Sequence, residues 1–153
     1  MIKKILVPLD GSTLAEKALP YAKSLARKFE AKLILVRVLE SVLRPILVMS
    51  GYGEVMDQVP PAFRAESEIN LSKLYLKIIQ DKLHLPARIS ILEGAPEAEA
   101  IIDFACQESV DLIVMSTHGR SGISRWLYGS VAEKVLQHAP CPVLLINAKV
   151  TRY

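Results

Sequence analysis

Short β-type runs alternating with helical periods are the feature that most limits how this chain can fold. Ile2-Lys-Lys-Ile-Leu-Val-Pro8 stops at the turn residues Asp10-Gly11, and similar apolar runs recur at 31–39 (AKLILVRVL), 87–92, 112–115 and 143–146. Between them lie residues with helical spacing: Leu14, Ala18, Ala22, Leu25 and Phe29; then Ala65, Ile69, Leu76, Ile79 and Leu83; then Ala98, Ile101, Ile102 and Ala105. A last helical stretch runs from Ser130 to about Ala139-Pro140. The order β-α-β-α-β-α-β-α-β requires crossovers, and so predicts an α/β fold: one open sheet of five parallel strands with helices on both faces. Strands covered on both sides are apolar throughout, which accounts for a hydrophobic content of 51%.

Local signals refine that expectation. Thr13-Leu-Ala-Glu16 and Ser130-Val-Ala-Glu133 both fit capping boxes. Pro20 should kink the first helix, and Gly94-Ala95-Pro96 should open the third with proline at its first position. A length of 153 residues suits a single domain, 1–153, with no repeat and no second unit. The stretch 40–60 lacks periodicity and exceeds the ~12–15 residues usual for a structureless loop. A mobile lid over a ligand and a plain excursion both fit it.

Several classes fall away. Arg37, Glu40 and Arg44 interrupt the most apolar region before the ~20 residues a membrane helix needs. Lys3 and Lys4 precede only Ile5 to Leu9, too short a core for a signal peptide. Cys106 and Cys141 form no CxxC pair, so both are expected as reduced thiols in a cytoplasmic protein. The net charge of +3 comes from dispersed Lys and Arg, which argues against nucleic acid as a partner.

In open α/β sheets a ligand sits beyond the carboxyl ends of the strands, where the strand order reverses. Two loops meet that condition: Pro8-Leu-Asp10-Gly-Ser12 after the first strand, and Ser116-Thr-His-Gly119-Arg-Ser-Gly122 after the fourth, leading to Gly129-Ser130 at a helix start. Glycines expose backbone amides, and a helix N-terminus adds unpaired N–H groups and partial positive charge, a combination that suits phosphate. Arg120 or Arg125 can add charge-assisted contacts. An ordinary glycine turn is the alternative, which the number of coincident features disfavours. Asp10 can cap the next helix or accept hydrogen bonds from a ribose or an adenine.

Other signatures are missing. No GxxxxGK[ST] occurs, and Gly51-Tyr-Gly53-Glu-Val-Met56 lacks the final glycine of a dinucleotide loop. His84, His118 and His138 have no metal-ligand spacing, and no GxSxG elbow positions a nucleophile. The sequence therefore offers no catalytic residue and no metal site.

At these loops the chain resembles the universal stress protein family, through KKILVPLDGS at 3–12, LILVRVLE at 33–40, EGAPEAEAI at 93–101 and DLIVMSTHGRSGISRWLYGSVAEKVLQHAPCPVLLI at 111–146. The family's nucleotide motif, G-x2-G-x9-G-[ST], stands here as Ser116-x2-Gly119-x9-Gly129-Ser130, with serine at the first glycine position. The resemblance implies a Rossmann-like fold of the adenine nucleotide alpha hydrolase type. It implies ATP, with or without magnesium, as the ligand. Pro8, Leu9 and Asp10 would lie against adenine and ribose, and Val38 and Met115 would line the adenine pocket. Gly119, Gly129 and Ser130 would hold phosphates, with Arg120, Ser121 and Val131 nearby. It further implies a nucleotide-sensing stress or regulatory protein, at most a slow ATPase, that acts on an unidentified protein partner. A homodimer would form through strand 142–147. A nucleotide-independent dimeric adaptor is the alternative that Ser116 favours.

Overall fold

The computed structural model describes residues 1–39, 61–93, 96–117 and 129–147. In chain order these form β1 (Lys4–Pro8), α1 (Thr13–Glu16), α2 (Leu19–Phe29), β2 (Lys32–Leu39), α3 (Pro61–Leu83), β3 (Ala87–Glu93), α4 (Glu97–Gln107), β4 (Leu112–Ser116), α5 (Ser130–His138) and β5 (Val143–Ile146). The strands make one parallel sheet in the order β3-β2-β1-β4-β5, as the alternation requires.

Both faces are covered. Ile5, Val7, Leu33, Leu35, Leu112 and Val114 point to one core, closed by Ala15, Ala18, Leu19 and Ala22 of the first two helices and by Leu76, Ile79 and Leu83 of α3. Leu6, Ile34, Val36, Ile113 and Met115 point to the other, under Ala98, Ile101 and Ala105 of α4 and Ala132 and Val135 of α5. Successive strand residues thus alternate between two apolar layers, the reason the runs read as hydrophobic throughout.

Helix starts depart from expectation. The helix anticipated from Thr13 is two, because Pro20 has no N–H to give to the carbonyl four residues back. Lys17 and Ala18 instead close tight bonds to Leu14 and Ala15, and α2 restarts with Pro20 in its first turn. The buried face runs through the restart with Ala18 and Ala22 as expected, joined by Leu19 and Ala26, while Phe29 at the end of α2 is 40% exposed. The cap of α1 is Ser12, whose hydroxyl accepts from Ala15 N at 3.1 Å, and not Thr13. Gly129, with no side-chain cap, precedes α5, so Ser130 is its first residue rather than its cap. Pro96 likewise stands one place earlier than expected, as the extended N-cap of α4. In α3, Ala65 is exposed and Ser72 is buried.

Candidate functional site

The strand order reverses at β1, which has β2 on one side and β4 on the other. Its two ladders differ in length. Pairing with β2 runs to Pro8↔Val36, whereas pairing with β4 stops at Leu6↔Ile113, although β4 continues to Ser116. Proline explains the difference. Lys3 O and Leu9 N both bond to β2, so odd-numbered residues of β1 face β2 and even-numbered ones face β4. The next β4-facing residue after Leu6 is Pro8, which has no N–H to continue the ladder. The two strands are released from each other at their carboxyl ends, where a ligand crevice is expected in this topology.

On the β1 side the chain turns at once. Asp10 Oδ1 accepts from Ser12 N at 2.8 Å, and Gly11 adopts φ +87, a left-handed conformation that a side chain would strain. Asp10 therefore shapes its own turn, while Ser12 caps the helix. Pro8 and Asp10 are half-buried. Leu9 is 3% exposed and belongs to the α1–α3 core, with its N–H donated to Val36 O at 2.8 Å.

On the β4 side Met115, Ser116 and Thr117 are all buried. Gly129 N donates to Thr117 O at 2.7 Å, which brings the start of α5 directly to the end of β4. The N-cap residue, Gly129, has no side chain to cap that helix, and amides of its first turn have no helical partner four residues back. Ser130 is exposed there and Val131 is half-buried against the α4–α5 core. Val38, two residues beyond the last β2 partner of β1, packs on the same face as Met115. Pro8, Asp10, Val38, Met115, Ser116, Gly129, Ser130 and Val131 all lie at the carboxyl ends of the strands or just beyond them. Gly119, Arg120 and Ser121 lie outside the described residues, as do His118, Arg125 and the stretch 40–60.

Sequence reasoning missed Arg37 and Tyr75. The Arg37 guanidinium lies against Gly11 and over the Tyr75 ring, with Cζ 5.4 Å from the ring centre. The Tyr75 hydroxyl donates to Glu16 Oε1 at 3.1 Å. Burial, with the negative charges of Glu16 and Asp10, pushes the phenol well above its ordinary range, against the opposing Arg37 charge. Arg37, the charged residue inside the otherwise apolar run LILVRVL at 33–39, was the available signal. Among the described residues, no three His, Cys, Asp or Glu side chains gather as a metal set. No described helix is long and apolar enough to cross a membrane.

Comparison with known proteins adds the following. Residues 1–147 match the model of the "Universal stress protein family". A universal stress protein of Methanocaldococcus jannaschii is 33% identical over 147 residues, spanning 96% of this chain and 83% of that protein. The universal stress protein UspA from Lactobacillus plantarum superimposes with a TM-score of 0.72 at 28% identity, covering 95% of this chain and 97% of that one. A universal stress protein solved in complex with cAMP shares the fold, with a TM-score of 0.61 at 21% identity over 97% of this chain and 98% of the other.

Proposed function

The chain belongs to the universal stress protein family, and from that premise we propose that it binds ATP in the crevice between β1 and β4 as a nucleotide-sensing regulatory protein. The observation that carries the reading is the parting of these strands at Pro8, with the start of α5 tied to the end of β4 through Gly129 and Thr117. Val38 and Met115 supply apolar surface on one face of the sheet near this parting, and the first turn of α5 lies at the end of β4, features that suit an adenine with attached phosphates.

In this reading Val38 and Met115 take the adenine, with Pro8 and the backbone of Leu9 at its edge, and Asp10 meets the ribose. Gly129, Ser130 and Val131 present first-turn amides and a hydroxyl to the phosphates. Gly119, Arg120 and Ser121 complete the phosphate loop, and Ser116 offers a small polar neighbour where the family motif has glycine. Magnesium would arrive with the triphosphate, since the described residues gather no carboxylate set to hold it alone. With no residue assigned as a base, hydrolysis is at most slow. A protein of the same fold solved with cAMP is consistent with an adenine ligand.

We read 1–153 as one domain, because a single sheet takes in residues 4 to 146. A second reading, a dimeric adaptor indifferent to nucleotide, draws on β5, which pairs among the described residues with β4 alone and so leaves an edge. Two copies joined edge to edge there would make an isologous dimer. A monomer mass at micromolar concentration in analytical ultracentrifugation would exclude it, and Leu145→Lys should weaken it. The deciding experiment is to denature the purified protein, identify any released nucleotide, and titrate ATP into nucleotide-free folded protein by calorimetry. No heat and no released nucleotide would leave the adaptor reading in place.

A further inference from the structure

Four elements converge on the turn after β1. Gly11 sits at φ +87, and a Cβ placed there would come within 3.1 Å of Arg37 Nη1 and 3.5 Å of its Cζ, so the guanidinium lies directly against the turn. The same guanidinium covers the Tyr75 ring on α3. Tyr75 donates to Glu16 on α1, the helix whose cap, Ser12, is held by Asp10. The contacts therefore close a circuit from the turn through β2, α3 and α1 and back to the turn.

We propose that Arg37 and Tyr75 are positioning residues for the nucleotide, holding the Asp10–Ser12 turn in its ligand-competent shape and coupling it to α3. The inference rests on the ATP reading above, in which Asp10 meets the ribose, but none of the residues assigned there to contact ATP lies on α3. Arginine suits the task because its planar fork can lie against backbone on one side and an aromatic face on the other, which an ammonium cannot do. A phenol is a neutral donor across the neutral range, so the bond from Tyr75 to Glu16 is kept there. A turn released from this circuit samples other shapes. Apparent affinity then falls by the fraction that remains competent, with the direct contacts unchanged.

The test is ATP affinity by calorimetry in folded wild type, Arg37→Met, Arg37→Lys and Tyr75→Phe, with hydrogen exchange along 72–79 of wild-type protein. Arg37→Met should weaken ATP about tenfold and Tyr75→Phe about fivefold, within the range of site-to-site coupling. Arg37→Lys should remain weakened, since charge without the planar contact does not position the turn. ATP should in turn slow exchange in α3. Wild-type affinity in Arg37→Met and Tyr75→Phe, or in Arg37→Lys, overturns the proposal while ATP binding itself stands. Unchanged α3 exchange in ATP-saturated wild type also overturns it, and needs no variant to fold. A wild type that binds no ATP removes the nucleotide reading and this inference together.

Discussion

At their amino ends β1 and β4 are laced together, whereas at their carboxyl ends the same strands are let go. Asp111 Oδ2 accepts from Lys3 N at 2.8 Å and Lys4 N at 2.9 Å, and Asp111 N returns a bond to Lys4 O at 3.0 Å. The Lys4 ammonium donates to the Glu108 carbonyl, and Glu108 is held by Arg88 at 2.9 Å. At the other end Pro8 halts the ladder, Gly11 takes a left-handed turn, and α5 begins behind Gly129, a cap residue with no side chain. Among the described residues, side chains and backbone lace one end together, while at the other the strands part beside the first turn of α5. With the proposed nucleotide site, holding the sheet together and receiving a ligand would fall to opposite ends of one strand pair.

The sharpest way to break this comparison is to damage the paired section and ask whether binding follows. Ile113→Ala empties a fully buried position beside Leu6 and should cost about 2–5 kcal/mol by urea denaturation. ATP affinity of the folded fraction should stay at the wild-type value. Gly129→Asp is the converse. It should keep the wild-type circular dichroism but lose the ATP-dependent stabilisation, about 2.7 kcal/mol at 100 times Kd, because a carboxylate would face the incoming phosphates. A full ATP shift in folded Gly129→Asp would place the phosphates elsewhere.

A smaller effect sharpens the account of the parting. Pro8→Ala restores the missing donor, worth about 0.5–1.5 kcal/mol if it pairs, but loses about 0.4–1 kcal/mol of restraint on the unfolded chain. Stability should change little. The amide at position 8 should nevertheless be protected from exchange as the ladder extends, and ATP should bind more weakly to the narrowed crevice. An unprotected amide there would show that something other than proline separates the strands.

Much of this was legible in the residues. Periodicity alone gave the parallel sheet, the helices on both faces and the 143–146 strand, because each apolar layer writes itself into every second strand residue. The parting of β1 from β4 was not legible. Pro8 could be read as a strand end, but that its nitrogen faces β4 follows from register, which depends on how β1 seats on β2. Helix starts shifted for a local reason: Asp10 holds Ser12 N, so Ser12 rather than Thr13 is left extended to cap. Arg37 and Tyr75 meet across two elements distant in sequence, and only the packing of α3 on β2 brings them together.

The two ends should also fail at opposite extremes of pH. Backbone N–H groups of Lys3 and Lys4 hold the Asp111 carboxyl below its ordinary value. Its folded pKa is depressed, so its contribution is present above the unfolded value near 3.9 and is lost as pH falls through the folded one. Tyr75 is displaced the other way, chiefly by burial. A raised folded pKa gives a contribution that is full below the unfolded value near 10 and is lost as pH rises beyond it. Melting temperature against pH should therefore show the wild type losing its advantage over Asp111→Asn only on the acid side, and its advantage over Tyr75→Phe only on the alkaline side. The Cys141 thiol, raised mainly by burial, also sheds stability in alkali, but it is common to wild type and Tyr75→Phe and cancels in that difference. An advantage over Tyr75→Phe that stays level from pH 8 through pH 11 would mean that the Tyr75 hydroxyl is not held as a buried donor to Glu16.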